Sequence, residues 1–288
     1  MKKKLSALAV CILAVAYFVF FSPENEKNTE QGGSISELFS GFSNSTSTSA
    51  PQNSQYYETE DNSLMELPAL AYNDIILRHE GYICCYNTER CIPNWVAWEL
   101  TEEESYGDLE REGIFGWDNS FKGHQAARED YQNSGWDKGH MAPAGDMKWS
   151  EKAMEECFLL INICPQNHEF NKNDWNYLEK KSRYWAQKYG KLYIACGPIV
   201  TDNHFGTIGD NHVTVPDGFF KVFLAQRGSR WQSIGFVFQN IPNSQPVRQN
   251  AHSVNEIEEF LGYDFFPALS DKYEESVESQ VNLKDWGL

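Results

Sequence analysis

Between residues 131 and 147 the chain reads YQNSGWDKGHMAPAGDM, with Asp137 and His140 three residues apart, Lys138 between them and Gly139 directly before the histidine. A histidine held in a glycine-hinged turn beside a carboxylate suits proton transfer near neutral pH. Lys138 adds a cation. The small residues and the proline at 141–145 cannot continue a regular strand ladder. Alone, the Asp-Lys-Gly-His tetrapeptide leaves three roles open for His140: general base, metal ligand, or a plain surface side chain.

The elements that must position such a site follow downstream. Ser150 is a reasonable N-cap for a short helix, and the apolar run at 157–163 reads as a buried strand. Asn162 then opens NICPQNHEFNKNDWNYLEKKSRYW. Asn171 or Asn173 is placed to cap a helix running to about Tyr189, with Trp175 and Leu178 facing the core at i, i+3. Glu179 and Arg183, spaced i, i+4, fall on a neighbouring face. At 100° per residue, Asn171 and Glu179 stand about 80° apart and Glu179 and Arg183 about 40°. The three can line one edge of a shared site, although an ordinary amphipathic helix with one ion pair shows the same pattern.

Folded material is expected from about Leu67. Two strands, 82–86 and 95–100, flank a turn at 87–90, and 101–130 reads as charged loops with a short helix. Strands follow at 191–200, ending at Gly197-Pro198, at 215–226 after an Asp-Gly turn, and at 231–240, with Gly228-Ser229 between the last two. Ser253 to Glu256 form a capping box opening a helix that stops at Gly262. Runs of strands with helices at intervals indicate an α+β fold, with a mainly antiparallel central sheet flanked by helices.

The chain has 288 residues and a net charge of −17, which at first argues against a polyanion partner. The charge is uneven. Residues 22–66 hold eight acids and one base, and 268–288 hold five acids and two bases, whereas 172–191 hold six bases and two acids. Local charge therefore decides the partner. Lys2, Lys3 and Lys4 precede an unbroken apolar run at 5–21 with no A-x-A cleavage site after it, which reads as a signal-anchor over 1–21 or a long signal peptide. Positive-inside orientation places the remainder outside the cytoplasm, membrane-anchored, periplasmic or secreted. Residues 22–66 are rich in Ser, Thr, Asn and Glu and read as a disordered linker, and 268–288 as an acidic C-terminal tail. Cys84, Cys85 and Cys91 lack zinc spacing. Outside the cytoplasm a disulfide to Cys91 is expected, its partner open.

The stretch SGWDKGHMAPAGDMKWSEKAM and its continuation FLLINICPQNHEFNKNDWNYLEKKSR closely resemble the DNA/RNA non-specific endonuclease family, the ββα-metal nucleases. The matching residues are Asp137-Lys138-Gly139-His140, Asn162, Pro165-Gln166, Asn171, Trp175, Leu178-Glu179 and Arg183, and the resemblance covers about 67–267. It implies a ββα-metal finger inside a nuclease domain. By that resemblance His140 deprotonates the water that attacks phosphorus. Asn171 is the direct protein ligand of Mg2+, with Mn2+ or another divalent ion as a substitute, and most other positions are filled by water. The ion stabilises charge on phosphorus and on the leaving 3′ oxygen. Glu179 holds the ion's waters, Arg183 neutralises the transition-state phosphate, and Asp137 fixes the motif or acts through the water shell. Asn162 orients the histidine ring, and Gln166, Lys138, Lys172 and Lys180 support or contact the substrate. His168 is the other histidine to test for a supporting role; those at 79, 124, 204, 212 and 252 are expected to be surface polar groups. DNA and RNA are the implied substrates, 5′-phosphate ends the products, and a homodimer an implied assembly.

Two departures stand out. Lys138 replaces the usual arginine, keeping the charge and losing the planar bidentate grip on phosphate. The net charge over 67–267 is −10, so activity should be unusually salt-sensitive, with 172–191 as the binding surface. The alternative class is a catalytically weakened nucleic-acid-binding or DNA-uptake component that keeps the fold; intact Asp137, His140, Asn171 and Glu179 argue against it. A zinc hydrolase built on Cys and His is disfavoured by the ligand spacings.

Overall fold

The computed structural model describes residues 34–40, 64–201, 205–242 and 245–288. Its strands are β1 (Ile75–Arg78), β2 (Ile83–Asn87), β3 (Ile92–Thr101), β4 (Asp137–His140), β5 (Ile163–Gln166), β6 (Lys191–Ile199), β7 (Thr207–Ile208), β8 (Val213–Thr214), β9 (Gly218–Arg227), β10 (Arg230–Gln239) and β11 (Ala251–His252). Seven of them form one sheet in the order β1-β2-β3-β6-β9-β10-β11, and every neighbouring pair is antiparallel. The expected α+β class and antiparallel centre hold. The helices are α1 (Ile35–Phe39), α2 (Glu151–Glu156), α3 (Asn176–Tyr189), α4 (Val254–Leu261), α5 (Asp271–Glu278) and α6 (Leu283–Trp286).

The sequence of β9, GFFKVFLAQR, explains why the sheet is covered on both faces. Its first eight residues are all buried. Side chains of a strand point alternately to opposite faces. Phe219 and Phe223 accordingly enter one core with Trp98, Trp175 and Trp185, while Phe220, Val222 and Leu224 enter the other with Trp95, Ile257 and Phe265. Helix α3 packs on the first face. Trp175, Leu178 and Trp185 reach it at 0% exposure, each burial contributing roughly 2–3 kcal/mol or more. Helix α4 covers the other face. Its capping box at Ser253 and left-handed stop at Gly262 are as expected.

Several expectations are corrected. The run at 157–163 is not one strand: a 3-10 turn occupies Leu160–Asn162 and β5 begins at Ile163, so Pro165, which has no N–H, lies in a short two-stranded ladder rather than in the central sheet. Neither Asn171 nor Asn173 caps the long helix. Asn167 does, its side chain accepting from the amides of Glu169 and Phe170. Within 22–66, Ser34 caps α1 with a reciprocal bond to Glu37, and Ile35 and Phe39 are buried in the second core. That stretch is therefore more than a disordered linker, because two apolar residues at i, i+4 suffice to dock one helical turn. The acidic stretch 268–288 is packed as α5 and α6, with Trp286 fully buried against Trp185 and Tyr189. Cys84, Cys85, Cys91, Cys157, Cys164 and Cys196 are all free and buried. Cys91 lies 3.2 Å from His124 Nδ1 rather than in a disulfide. His79 and His252 are not surface groups; their side chains are each 5% exposed. The apolar segment at 1–21, most of 22–66 and His204 lie outside the described residues. Among those described, no helix is long and apolar enough to cross a membrane.

Candidate active site

Strands β4 and β5 form an antiparallel hairpin-like pair in which Asp137 faces Gln166 and His140 faces Ile163. A helical run follows: one turn at His168–Phe170, a π-helical stretch at Asn171–Trp175, then α3. The arrangement is strand, strand, helix. Gly139 is required by this pairing, because a Cβ there would collide with the carboxamide of Gln166. The π-helical stretch is wider than an α-turn, so the 100° arithmetic does not carry across 171–175. The residues nonetheless converge. A cavity of about 360 Å3 is lined by Arg111, Lys138, His140, Pro143, Ala144, Gly145, Asn171, Lys172, Asn176, Glu179 and Arg183.

His140 is held from its own backbone and by two aromatic walls. Its carbonyl accepts from Trp175 Nε1 at 2.9 Å, and its ring lies 5.4 Å from Phe115 and 5.1 Å from Phe158 between centroids. Nε2 is buried without a hydrogen-bond partner, so Nδ1 is the nitrogen able to face the cavity. Burial, reinforced by the Arg111 cation, pushes His140 down to about 3, which keeps the ring neutral and able to accept a proton throughout the neutral range. Asn162 does not touch this ring. Its carboxamide is spent on backbone, accepting from Ala142 N and donating to the carbonyls of Ala142 and Cys157 at 2.8–2.9 Å. It fixes the turn after His140, which orients the histidine through the chain.

Asp137 organises the opposite side. Its Oδ2 accepts from Asn171 Nδ2 at 3.0 Å and from His168 Nδ1 at 3.0 Å. The carboxylate can only accept, so it turns the amide nitrogen of Asn171 towards itself and leaves Oδ1 free to face the cavity. The supporting place expected for His168 is thus occupied. Glu179 is half-buried, and burial pushes it up to about 7 against the opposing pull of Lys221, Arg183 and Arg111. Arg183 donates from NH1 to Asp146 Oδ1 at 2.7 Å, and Asp146 also accepts from Trp98 Nε1 at 3.2 Å. Asp146 is 1% exposed; burial raises its carboxyl despite Arg183.

The expected substrate contacts divide. Lys138 lines the cavity with its ammonium over the rings of Tyr131 and Phe115, at 5.2 and 5.6 Å, and burial lowers it from the usual lysine range. Lys172 lines the cavity and also a second one of about 460 Å3 that includes Tyr177 and Lys180. Lys180 therefore flanks the site one helical turn away. Gln166 does not contact the cavity. It is fully buried beneath Gly139, because its register opposite Asp137 turns it into the core.

Arg111, Asp146 and Lys221 were not found from sequence. Arg111 belongs to an acidic loop whose pattern carries no signal, and Asp146 meets Arg183 across 37 residues. Lys221 had one: a lysine inside FFKVFL needs a reason to be buried. It is 0% exposed, its ammonium 4.1 Å from the centre of the Trp175 ring and 5.4 Å from that of Trp98. The cation thus lies beneath the two indoles that bond to His140 and Asp146.

A family model described as DNA/RNA non-specific endonuclease matches residues 61–272. Mitochondrial endonuclease G of Homo sapiens is 34% identical over 217 residues, covering 70% of this chain and 72% of that protein. A nuclease of Nostoc sp. is 32% identical over 225 residues, covering 74% of this chain and 81% of that protein. Mitochondrial nuclease EXOG of Danio rerio is 36% identical over 210 residues, covering 66% and 60% respectively. A chain of the crystal structure of the EndoG/EndoGI complex superposes with a TM-score of 0.65 at 29% identity, covering 72% of this chain and 90% of that one.

Proposed function

The chain belongs to the DNA/RNA non-specific endonuclease family and is a nuclease, and on that premise we propose that it hydrolyses phosphodiester bonds in DNA and RNA with His140 as general base and Mg2+ at Asn171, leaving 5′-phosphate ends. The observation that carries this reading is the convergence of His140, Asn171, Glu179 and Arg183 on one cavity with three further cations, Arg111, Lys138 and Lys172. A phosphodiester brings one negative charge per nucleotide, and these side chains supply the complementary field.

His140 Nδ1 takes the proton from water. A ring held near 3 is a weak base until the phosphate enters, when the nearby anion stabilises its protonated form and raises its proton affinity. Arg183, aimed by Asp146, and Arg111 from the facing loop neutralise charge growing on the phosphoryl oxygens. The donor set fits a hard divalent cation: Asn171 presents a carboxamide oxygen and Glu179 adds a carboxylate on the same cavity. Such a cation keeps most of its waters and leans on substrate phosphate. When bound it supplies Lewis-acid stabilisation of the leaving 3′ oxygen.

The test is incubation of the full chain with plasmid DNA and with RNA, with Mg2+ or with EDTA, alongside His140→Ala. Cleavage is expected from the wild type with Mg2+ alone, and its fragments should ligate without prior phosphorylation. A His140→Ala variant as active as the wild type overturns the mechanism. We further propose that residues 1–21 hold the chain at a membrane with the nuclease outside the cytoplasm, on the strength of Lys2 to Lys4 before the apolar run; recovery of the protein in the soluble cytoplasmic fraction refutes this.

A further inference from the structure

Beside the active site one indole is left in water. Trp117 is 58% exposed, the one exposed tryptophan among the described residues, and Ile114, three residues earlier, is 80% exposed. Single exposed apolar side chains are ordinary, so position has to decide. Phe115, two residues earlier, lies against the His140 ring and beneath the Lys138 ammonium. Two residues of extended chain reach at most about 7 Å. At about 3.4 Å of rise per nucleotide in a stacked strand, the backbone of Trp117 stands about two nucleotides or less from that of Phe115, which flanks the general base.

The backbone on either side of the indole is also held in place. On one side Gly116 donates to Phe158 O at 3.3 Å and accepts from Leu160 N at 2.8 Å. On the other, Asp118 N donates to Gln125 Oε1 at 2.9 Å. Trp117 borders a cavity of about 410 Å3 whose wall includes Asn119, Phe121, Lys122, His124 and Asn211, within the size range of small-molecule sites. That wall is pre-oriented. Asp130 accepts from Asn211 Nδ2 at 2.9 Å, which turns Asn211 Oδ1 to His124 Nε2 at 3.0 Å. The Asp118 carboxylate, the acid in the lining, is turned inward to Ser120 and is 4% exposed, so Lys122 is the exposed charge.

We propose that Trp117 and this cavity form a subsite for one unstacked nucleobase of a single-stranded substrate, next to the phosphate being cleaved. The inference rests on the nuclease reading and sharpens its substrate class. Every base has a face that can stack on an aromatic ring, and a ring on an anchored backbone with one cation beside it binds such bases without reading sequence. In a blunt duplex the bases are already stacked and paired, and the platform gains nothing. Single strands and single-stranded RNA are therefore preferred over duplex.

The experiment uses the full chain in EDTA, where no turnover occurs. An oligothymidylate and a blunt duplex of equal length are titrated while tryptophan fluorescence and Kd are read, for wild type, Trp117→Ala and Trp117→Tyr. Stacking typically contributes enough that its loss weakens binding by roughly tenfold. Trp117→Ala should raise Kd for the single strand by that factor and abolish most of the fluorescence change. Trp117→Tyr should restore Kd to within twofold, and the duplex Kd should move less than twofold throughout. Equal single-strand Kd for wild type and Trp117→Ala overturns the proposal, as does an equal loss on both substrates. A ring covered instead by a second copy gives that first result, with fluorescence that varies with protein concentration alone. Failure of the nuclease reading shows separately, as absence of cleavage by the wild type when Mg2+ is added.

Discussion

Alanine at Gly145 tests whether Arg183 contributes only when its guanidinium is aimed. A Cβ on Gly145 would stand 2.5 Å from Arg183 NH1 and 2.9 Å from its Cζ, closer than carbon approaches such atoms, so the guanidinium must swing away. Gly145 is not among the positive-φ glycines, and alanine meets no backbone penalty there. What is lost is the 2.7 Å bond to Asp146. A hydrogen bond between charged groups contributes about 1.5–3 kcal/mol, and each 1.36 kcal/mol is a factor of ten in rate. The expected loss in kcat is therefore between about tenfold and 150-fold. Asp146→Asn reaches the same arginine without a steric change and should fall in the same range. Both are assayed by initial rates on a defined oligonucleotide with Mg2+, separating kcat from KM, with Tm read by thermal melting. KM should change less than threefold; Tm should fall by a few degrees in Asp146→Asn, where the 22% exposed arginine relaxes into water, and by more in Gly145→Ala, where the fully buried Asp146 loses its cation. Full kcat in Gly145→Ala refutes the claim that Arg183 must be held. A collapse of Tm in both variants refutes the assignment of the loss to aim.

Three further outcomes follow from the same geometry. Gly139→Ala drives a methyl into the buried Gln166 side chain, an overpacking worth roughly 1–3 kcal/mol; thermal melting should show a lower Tm, partly restored by adding Gln166→Ala. With His140 held near 3 and Glu179 near 7, the acid limb of kcat/KM against pH belongs to Glu179, which must lose its proton to act: the limb should move up as Mg2+ is withdrawn and flatten in Glu179→Gln. Glu278, 2% exposed, is pushed up to about 9 by burial beside Glu258, Glu274 and Asp264. A carboxyl raised in the fold contributes stability below its unfolded value and loses it as pH rises towards and through the folded one, so Glu278→Gln should melt higher than wild type at pH 9, by more than about 1 kcal/mol or roughly 2–4 °C, and at the same temperature as wild type at about pH 4, below the unfolded value.

What was legible in the sequence was local. The β9–β10 hairpin, the capping box at Ser253 and the cluster from Asp137 to His140 are written in adjacent residues, and the structure keeps them. Asn171, Glu179 and Arg183 also converge, although the angular argument that placed them together fails at the π-helical stretch; Trp175 and Leu178 still anchor the helix, and that suffices. The partnerships that aim these groups were hidden because they cross the chain. Nothing near Arg183 names Asp146, and nothing near Asn162 says that its amide will hold Ala142 rather than a ring. Gln166 misled because a polar residue beside a catalytic motif suggests solvent, whereas its register opposite Asp137 turns it inward. Trp286 was hidden in an acidic stretch whose charge outweighed its one large apolar side chain.

That C-terminal segment has a consequence for how the molecule meets a polyelectrolyte. Lys181 donates to Gly287 O and Lys188 to Asp285 O, while Lys191 pairs with Glu99 and Arg183 with Asp146. Of the six cations between 172 and 191, Lys172 and Lys180 remain without an ion pair or carbonyl tether among the described residues. Arg183 is aimed into the cavity by Asp146 and still meets phosphate there, whereas the other three add to the field but are held against the protein. The number of counterions a nucleic acid sheds on binding follows the cations that touch phosphate, at about 0.7 per contact on a single strand. With Lys172, Lys180 and the cavity's Arg111, Lys138 and Arg183 as those contacts, about 3.5 ions are released. The logarithm of affinity then falls with the logarithm of salt at a slope of about −3.5, well short of the steep dependence that an acidic chain with a basic stripe suggests.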